Sequence, residues 1–109
     1  MASVKDMLNL AKRGRFLSFG DDLLFDIRKK RISLVLLASD GNDKTKAILK
    51  MMCDEFQISI ITCYTKAELG EMVNMFPLNA IGIKNSGISK KIRLIRKEIE
   101  TNGQTKQEQ

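Results

Sequence analysis

The residues that could carry out chemistry in this chain are few. None of its 109 residues is histidine, which removes the commonest general base and the usual partner in metal sites and catalytic triads. The adjacent carboxylates Asp21 and Asp22 could hold a metal ion, but acidic residues at a helix start more often cap its free backbone N–H groups. We therefore predict no enzymatic activity, no catalytic residue, no metal and no cofactor.

The segment from Asp40 to Thr45 is the other candidate for chemistry. It lies between a predicted strand and a predicted helix and ends in Lys-Thr, as phosphate-binding loops do. It lacks the glycine before the lysine and the longer glycine-rich run whose backbone amides surround a phosphate. We predict no nucleotide site there and no small-molecule substrate.

Clustered positive charge is the strongest functional signal. The chain has 19 Lys and Arg residues against 13 Asp and Glu residues, a net charge of +6. Such patches attract phosphate backbones through counterion release. The alternative is a solvated surface that keeps the protein soluble. Thirteen of the cations fall in three clusters, which are Lys12, Arg13 and Arg15; Arg28 to Arg31; and Lys84, Lys90, Lys91, Arg93, Arg96 and Lys97.

The elements that must position these residues are arranged around the stretch from Phe19 to Asp40. A helix that starts near Gly20 carries apolar residues at helical spacing and ends in four cations, where the helix dipole favours positive charge. Leu34 to Ala38 is an unbroken apolar run too short for a helix. It predicts a central strand covered on both faces.

The hydrophobic pattern predicts a three-layer α-β-α sandwich of the α/β class. We expect one domain over residues 1–102 and a disordered polar tail over residues 103–109. Ser3 and Thr65 are predicted caps. The remaining predicted elements are a first helix that ends at Gly14, an extended piece over 15–18, helices over 45–56 and 66–73, buried strands over 58–62 and 80–83, and a last helix from Asn85 or Ser86.

The sulfur-containing residues and the hydropathy of the chain predict which side chains are buried and in which cellular compartment the protein works. Met51 and Met52 are predicted core residues, and Cys53 and Cys63 are most simply buried thiols in a reducing compartment. The sequence shows no apolar run long enough for a membrane span and no cationic-then-apolar leader at Met1. We expect a cytoplasmic protein without a membrane partner.

The irregular segments predict a binding edge. In such a sandwich we expect the start of the Gly20 helix and the loop from Asn74 to Pro77 to fall on the same end of the sheet. A helix N-terminus offers free N–H groups to phosphate, and the bulky loop side chains offer platforms for an unstacked base. The alternative is that the Met-Phe-Pro group plugs the end of the core.

Five segments carry a resemblance to a known family: residues 8–15, Leu34–Asp40, Lys66–Glu71, Ile81–Ile83 and Gly87–Lys91. In this order and spacing they resemble the kink-turn RNA-binding superfamily of ribosomal proteins, typified by the archaeal large-subunit protein seven-Ae, and in particular its bacterial YlxQ-like branch. The resemblance implies a mixed, about four-stranded sheet between helices. It also implies a structured RNA partner, such as a ribosomal kink-turn.

The family's RNA signature, Gly-Thr-Asn-Glu-x-x-Lys, falls on residues 19–25 when counted without gaps from Gly14. Asp21 then stands where an Asn amide would both donate and accept at sheared G·A pairs. Asp22 keeps the carboxylate of the family's Glu on a shorter side chain, and Phe25 replaces the lysine. Because that lysine lies on the surface in kink-turn binders, we expect Phe25 to be at least partly exposed.

We therefore predict a non-enzymatic RNA-binding protein that resembles ribosomal kink-turn binders and associates with the ribosome or another structured RNA. The alternative is a protein-interaction or regulatory module that kept the fold and lost kink-turn recognition. The sequence makes no prediction of which RNA is bound or of the oligomeric state. The predicted RNA-contacting residues are Arg15, Gly20, Asp21, Asp22, Phe25, Arg28, Asn74, Met75 and Phe76.

Overall fold

The structure is a computed structural model that describes the backbone of residues 3–108 and the side chains of residues 3–97. Five helices and four strands occupy this part of the chain. The helices are α1 Val4–Arg13, α2 Gly20–Arg28, α3 Asp43–Glu55, α4 Lys66–Met72 and α5 Ser86–Glu108. The strands are β1 Leu17–Ser18, β2 Leu34–Ala38, β3 Ser59–Tyr64 and β4 Ala80–Ile83.

The four strands form one mixed sheet in the order β1-β4-β2-β3. Strand β2 is parallel to β3 and antiparallel to β4, and β1 is antiparallel to β4. This confirms the α/β sandwich and the mixed sheet that the resemblance implied. All five residues of β2 are buried, so the predicted central strand is confirmed as well.

Side-chain alternation along β2 divides the core into two halves. Leu34 and Leu36 pack with residues of α1, α4 and α5. Val35 and Leu37 pack on the other face with residues of α2 and α3. Because successive strand residues point to opposite faces, one short apolar run holds both helical layers onto the sheet.

Local hydrogen bonds explain where the helices begin. Ser3 forms a reciprocal capping box with Asp6, and Thr65 forms one with Glu68, which confirms both predicted caps. The backbone N–H and side chain of Ser3 hydrogen-bond to the Asp6 carboxylate and lower its pKa. Asn42 caps α3, so this helix begins two residues before the predicted start at residue 45.

Strand β3 differs from its prediction as a buried strand. It lies at an edge of the sheet, and Ser59, Thr62 and Cys63 are exposed. A run of β-branched residues suits a half-buried edge as well as a covered strand, so composition does not distinguish the two. The paired strand also extends to Tyr64, two residues beyond the predicted end.

Two of the predicted core sulfur residues are exposed. Met52 and Cys53 are buried, but the side chain of Met51 is 64% exposed, and Cys63 lies on the exposed edge strand. Met51 and Met52 are neighbours on a helix, so only one of them faces the sheet. Both cysteines are free thiols.

The backbone of α5 is helical to Glu108. This helix includes residues 103–108, for which the sequence predicts a disordered tail, and Gln109 lies outside the described residues. The domain boundary at residue 102 therefore stays a prediction.

A buried carboxylate that the sequence analysis missed joins β1, α2 and the end of β4. Asp26 is only 6% exposed, and its Oδ2 accepts a hydrogen bond of 2.7 Å from the Ser18 hydroxyl. The cations of Arg31 and Lys84 lie 3.6 and 3.8 Å from its two oxygens. Two cations of the basic clusters therefore neutralise an internal charge.

We expect Asp26→Asn to destabilise the fold, because the amide keeps the shape but leaves Arg31 and Lys84 without their anion. The free energy of unfolding should fall by about 1–3 kcal/mol, as measured by urea denaturation followed by circular dichroism. Asp22→Asn, on an exposed position of the same helix, is the control. Equal stability of the two variants would contradict this role for Asp26.

Candidate nucleic-acid interface

A groove of about 410 Å³ lies where the start of α2 meets the loop before β4. Gly20 and Asp21 of α2 line this groove together with Phe76 and Pro77 of the loop. The helix start and the loop thus lie at the same end of the sheet, as the order of elements predicted. We call this the α2–loop groove. Its other lining residues are Phe19, Leu23, Leu24, Thr45, Ile48, Leu49, Leu78, Asn79 and Ala80.

The start of α2 has no side-chain cap within the described part of the chain. The prediction that Asp21 and Asp22 cap it is therefore wrong. Both lie inside the first turn and are exposed, where their charges are favourable toward the helix dipole. The Leu23 N–H donates to the Phe19 carbonyl at 3.3 Å, and the N–H groups before it lie at the positive helix end.

Gly20 has a backbone conformation that favours glycine. Its φ is +56°, in the left-handed region. Apart from its two chain neighbours and the backbone of its own helix, no described atom lies within 4 Å of the position that a Cβ would occupy. A ligand atom therefore has room to approach the backbone at this point of the groove.

The bulky residues Met75, Phe76 and Pro77, in the loop between α4 and β4, differ in their environments. Met75 packs against the core of α1, α4 and α5. Phe76 is 71% exposed, and Pro77 is exposed beside it. The core-plug alternative therefore holds for Met75, whereas Phe76 and Pro77 are available at the groove.

Backbone hydrogen bonds and close packing fix this loop. The Met75 N–H donates to the Gly70 carbonyl at 2.8 Å, and the Leu78 N–H donates to the Lys66 carbonyl at 3.1 Å. A Cβ on Gly70 would lie 2.3 Å from the Phe76 carbonyl oxygen. Only glycine at position 70 lets the loop pack this closely on α4.

Asn79 is a groove residue that sequence reasoning missed. Its carbonyl accepts a hydrogen bond of 2.8 Å from the Ala38 N–H, at the end of β2. Its side-chain Oδ1 accepts one of 3.0 Å from the N–H of Asn42, the cap of α3. Asn79 therefore connects the loop to both the sheet and α3. The sequence feature that could have indicated this role is the position of Asn79 directly before a predicted strand.

Phe25 lies outside the groove and is 51% exposed, which confirms the predicted exposure. The Lys29 Nζ and the Arg31 Cζ lie 5.5 and 5.8 Å from its ring centroid. These distances are within the range of cation–π contacts. Phe25 thus contacts two cations, Lys29 and Arg31, of the basic cluster at the end of α2.

Three of the nine predicted site residues, Gly20, Asp21 and Phe76, line the groove. Arg15 is exposed in the turn after α1, with a φ of +62°. Arg28 is exposed at the far end of α2, about 12 Å along the helix from Gly20. Six of the predicted site residues do not line the groove: Arg15, Asp22, Phe25, Arg28, Asn74 and Met75.

The basic clusters are partly used inside the fold. The Lys12 Nζ donates to the Val73 carbonyl at 2.6 Å, near the end of α4.

Among the side chains of residues 3–97, no group of three or more His, Cys, Asp or Glu residues is placed to hold a metal ion. None of the helices described has the length and hydropathy to cross a membrane. The lack of enzymatic activity stays a prediction.

Fold and site together define a class of small α/β protein, in which a mixed four-stranded sheet between two helical layers presents a helix start and an exposed aromatic loop at one end. The sequence profile of the ribosomal protein L7Ae/L30e/S12e/Gadd45 family matches residues 2–93. The chain belongs to this family.

Known proteins similar to the chain include a bacterial protein named for RNA binding and a solved bacterial structure. It is 27% identical over 89 residues to a protein named RNA-binding protein YlxQ from Enterococcus faecium, and the match covers 81% of this chain and 85% of that protein. A solved structure from Bacillus halodurans C, described as a protein with unknown function, superposes with a TM-score of 0.81 at 28% identity. That match covers 87% of this chain and 97% of the other. The resemblance to the family and to its YlxQ-like branch is confirmed.

We expect Gly70→Ala to destabilise the protein, although alanine is the better helix former. The new methyl group would collide with the backbone of Phe76, and this overpacking outweighs the propensity gain. The free energy of unfolding should fall by roughly 1–2 kcal/mol in urea denaturation. Glu71→Ala, at the next and exposed position of α4, should change it by less than about 0.5 kcal/mol. A Gly70→Ala variant more stable than the parent would show that the loop does not depend on this contact.

Proposed function

We propose that this chain is an RNA-binding protein whose α2–loop groove contacts structured RNA. The observation that carries the proposal is that an uncapped helix start and a highly exposed aromatic side chain line one groove. Membership of the L7Ae/L30e/S12e/Gadd45 family and similarity to a protein named for RNA binding support it. The finer proposal is a kink-turn RNA, ribosomal or otherwise, bound by a non-catalytic cytoplasmic protein.

The start of α2 supplies the contact with the RNA backbone. Its first N–H groups lie at the positive end of the helix dipole, and anions bind at such helix ends. Gly20 leaves space for a phosphate oxygen to reach the backbone. The carboxylate of Asp21 lines the same groove and accepts hydrogen bonds only, so it suits the amino group of a base rather than a phosphate.

Phe76 supplies the contact with an unpaired base. A base that has left its stack gains stability by stacking on an aromatic side chain, and single-stranded bulges and loops provide such bases. The groove beside Phe76 is lined by the apolar side chains of Leu24, Ile48 and Leu49. A base inserted into the groove would therefore meet apolar side chains as well as the aromatic ring.

The proposal is tested by titrating the protein against a kink-turn RNA and a straight duplex of equal charge. We expect tighter binding to the kink-turn, because only that RNA offers unstacked bases to Phe76. If about six phosphates are neutralised, the logarithm of affinity should fall with a slope of roughly −5 against the logarithm of salt concentration. Equal affinity for both RNAs, with a flat salt dependence, would favour the protein-interaction alternative.

Phe76→Ala should weaken kink-turn binding by about 1–3 kcal/mol, the usual contribution of one base–aromatic stack. The duplex affinity should stay unchanged, because a duplex offers no free base face. Met51→Ala, which removes an exposed apolar side chain of α3 outside the groove, is the matched control. An equal loss in both variants, or none in either, would place the RNA elsewhere on the protein.

Asp21→Asn combined with Phe25→Lys should strengthen kink-turn binding selectively. The pair restores an amide donor and a cation at positions where the family's signature carries them, and direct contacts of this kind are worth about 1–3 kcal/mol each. We expect a gain of roughly tenfold or more over the duplex. Asp54→Asn with Met51→Lys adds the same charge on α3 and should raise both affinities equally. An unchanged preference in the first variant would mean that this helix start does not face the RNA.

A further inference from the structure

The outer edge of β3 forms a second surface, distinct from the α2–loop groove. Strand β3 ends the sheet and is hydrogen-bonded only to β2 within the described residues. Residues 59–63 of this strand line a shallow groove together with Arg93, Arg96 and Lys97 of α5. No residue that lines this groove is acidic.

The edge lacks most of the features by which proteins block strand addition. Natural edge strands are usually protected by lysine, proline, bulges or covering segments. The sequence of β3, Ser-Ile-Ile-Thr-Cys-Tyr, contains neither charge nor proline. Its register against β2 gains one residue between Ile61 and Tyr64, and such a bulge limits regular pairing to the part from Ser59 to Ile61.

The cations beside the edge of β3 favour pairing with a strand that carries negative charge. Arg93 and Lys97 are exposed beside the edge. The guanidinium of Arg96 lies 5.5 Å from the Tyr64 ring centroid, which packs α5 against the end of β3. A strand that approaches this edge therefore meets open backbone groups on one side and cations on the other.

We propose that the outer edge of β3 binds an extended acidic segment of a partner protein, which adds to the sheet as a fifth strand. Main-chain hydrogen bonds supply the affinity in this mode of recognition, and side-chain complementarity supplies the specificity. A second copy of this chain fits less well, because symmetric pairing of two β3 edges would bring the cations of both copies together. RNA offers phosphates but no backbone amides to continue the sheet.

The two cysteines provide a direct assay. Cys63 is exposed on the edge, whereas Cys53 is buried in the core, and burial raises the pKa of the Cys53 thiol to about 11. Since the thiolate is the reactive form, alkylation at neutral pH should modify Cys63 and spare Cys53. Cys63 lies beyond the regularly paired part of β3 but lines the same groove as Arg93 and Lys97. A segment that pairs with Ser59 to Ile61 and lies beside these cations should therefore slow alkylation of Cys63.

The probe is a synthetic peptide in which Glu and Val alternate, added to the full chain during alkylation by iodoacetamide. We expect protection of Cys63 that saturates with peptide concentration. Arg93→Glu with Lys97→Glu should weaken the peptide's apparent affinity by roughly tenfold or more, since two attractive pairs become repulsive. Lys44→Glu with Lys50→Glu makes the same charge change on exposed positions of α3 and should leave the affinity within about twofold.

A peptide of the same sequence with alternate amides N-methylated tests the hydrogen bonds separately from the charge. We expect it to give no protection. Equal protection by this peptide would overturn strand addition, because attraction by charge alone would then account for the binding. Protection of Cys63 by the chain's own self-association, or by kink-turn RNA but not by the peptide, would equally overturn the proposal.

Discussion

Burial of β2 on both faces is the constraint on which the rest of the structure depends. Leu34, Leu36 and Ala38 belong to one half of the core, and Val35 and Leu37 belong to the other. A polar side chain at any of these positions would be buried and would need a hydrogen-bond partner inside the core. Because both helical layers pack on the same five residues, the position of α2 relative to α4 is fixed by this strand.

The candidate site is a consequence of where β2 ends. The last residue of the strand, Ala38, donates its N–H to the carbonyl of Asn79, and the side chain of Asn79 holds the start of α3. The loop that carries Phe76 is therefore tied to the sheet on one side. It is tied to α4 on the other by the close approach at Gly70. The groove is therefore built from connections that hydrogen bonds and close packing hold at both ends.

The sequence predicted several features that local chemistry decides, although its predicted caps for the start of α2 were wrong. Ser3 and Thr65 cap helices because their own neighbours complete the capping boxes, and the apolar run of β2 leaves it only an interior position. Features decided by distant parts of the chain were missed. Asp26 is buried where Ser18, Arg31 and Lys84 meet it from three separate parts of the chain. Ser59, Thr62 and Cys63 of β3 are exposed because this strand lies at the edge of the sheet. In the site, the common location of Gly20 and Phe76 at one end of the sheet followed from topology, whereas the hydrogen bonds of Asn79 join residues far apart in sequence.

Contact between RNA and the α2–loop groove can be measured by amide NMR of the isotope-labelled protein titrated with kink-turn RNA. We expect the largest chemical-shift changes at the amides of Gly20, Asp21, Phe76 and Asn79, because these residues line the groove. The amides of Ser59 to Tyr64 should change little. Large changes confined to β3 and α5, with the groove amides unchanged, would show that the RNA binds to the other surface and not to the groove.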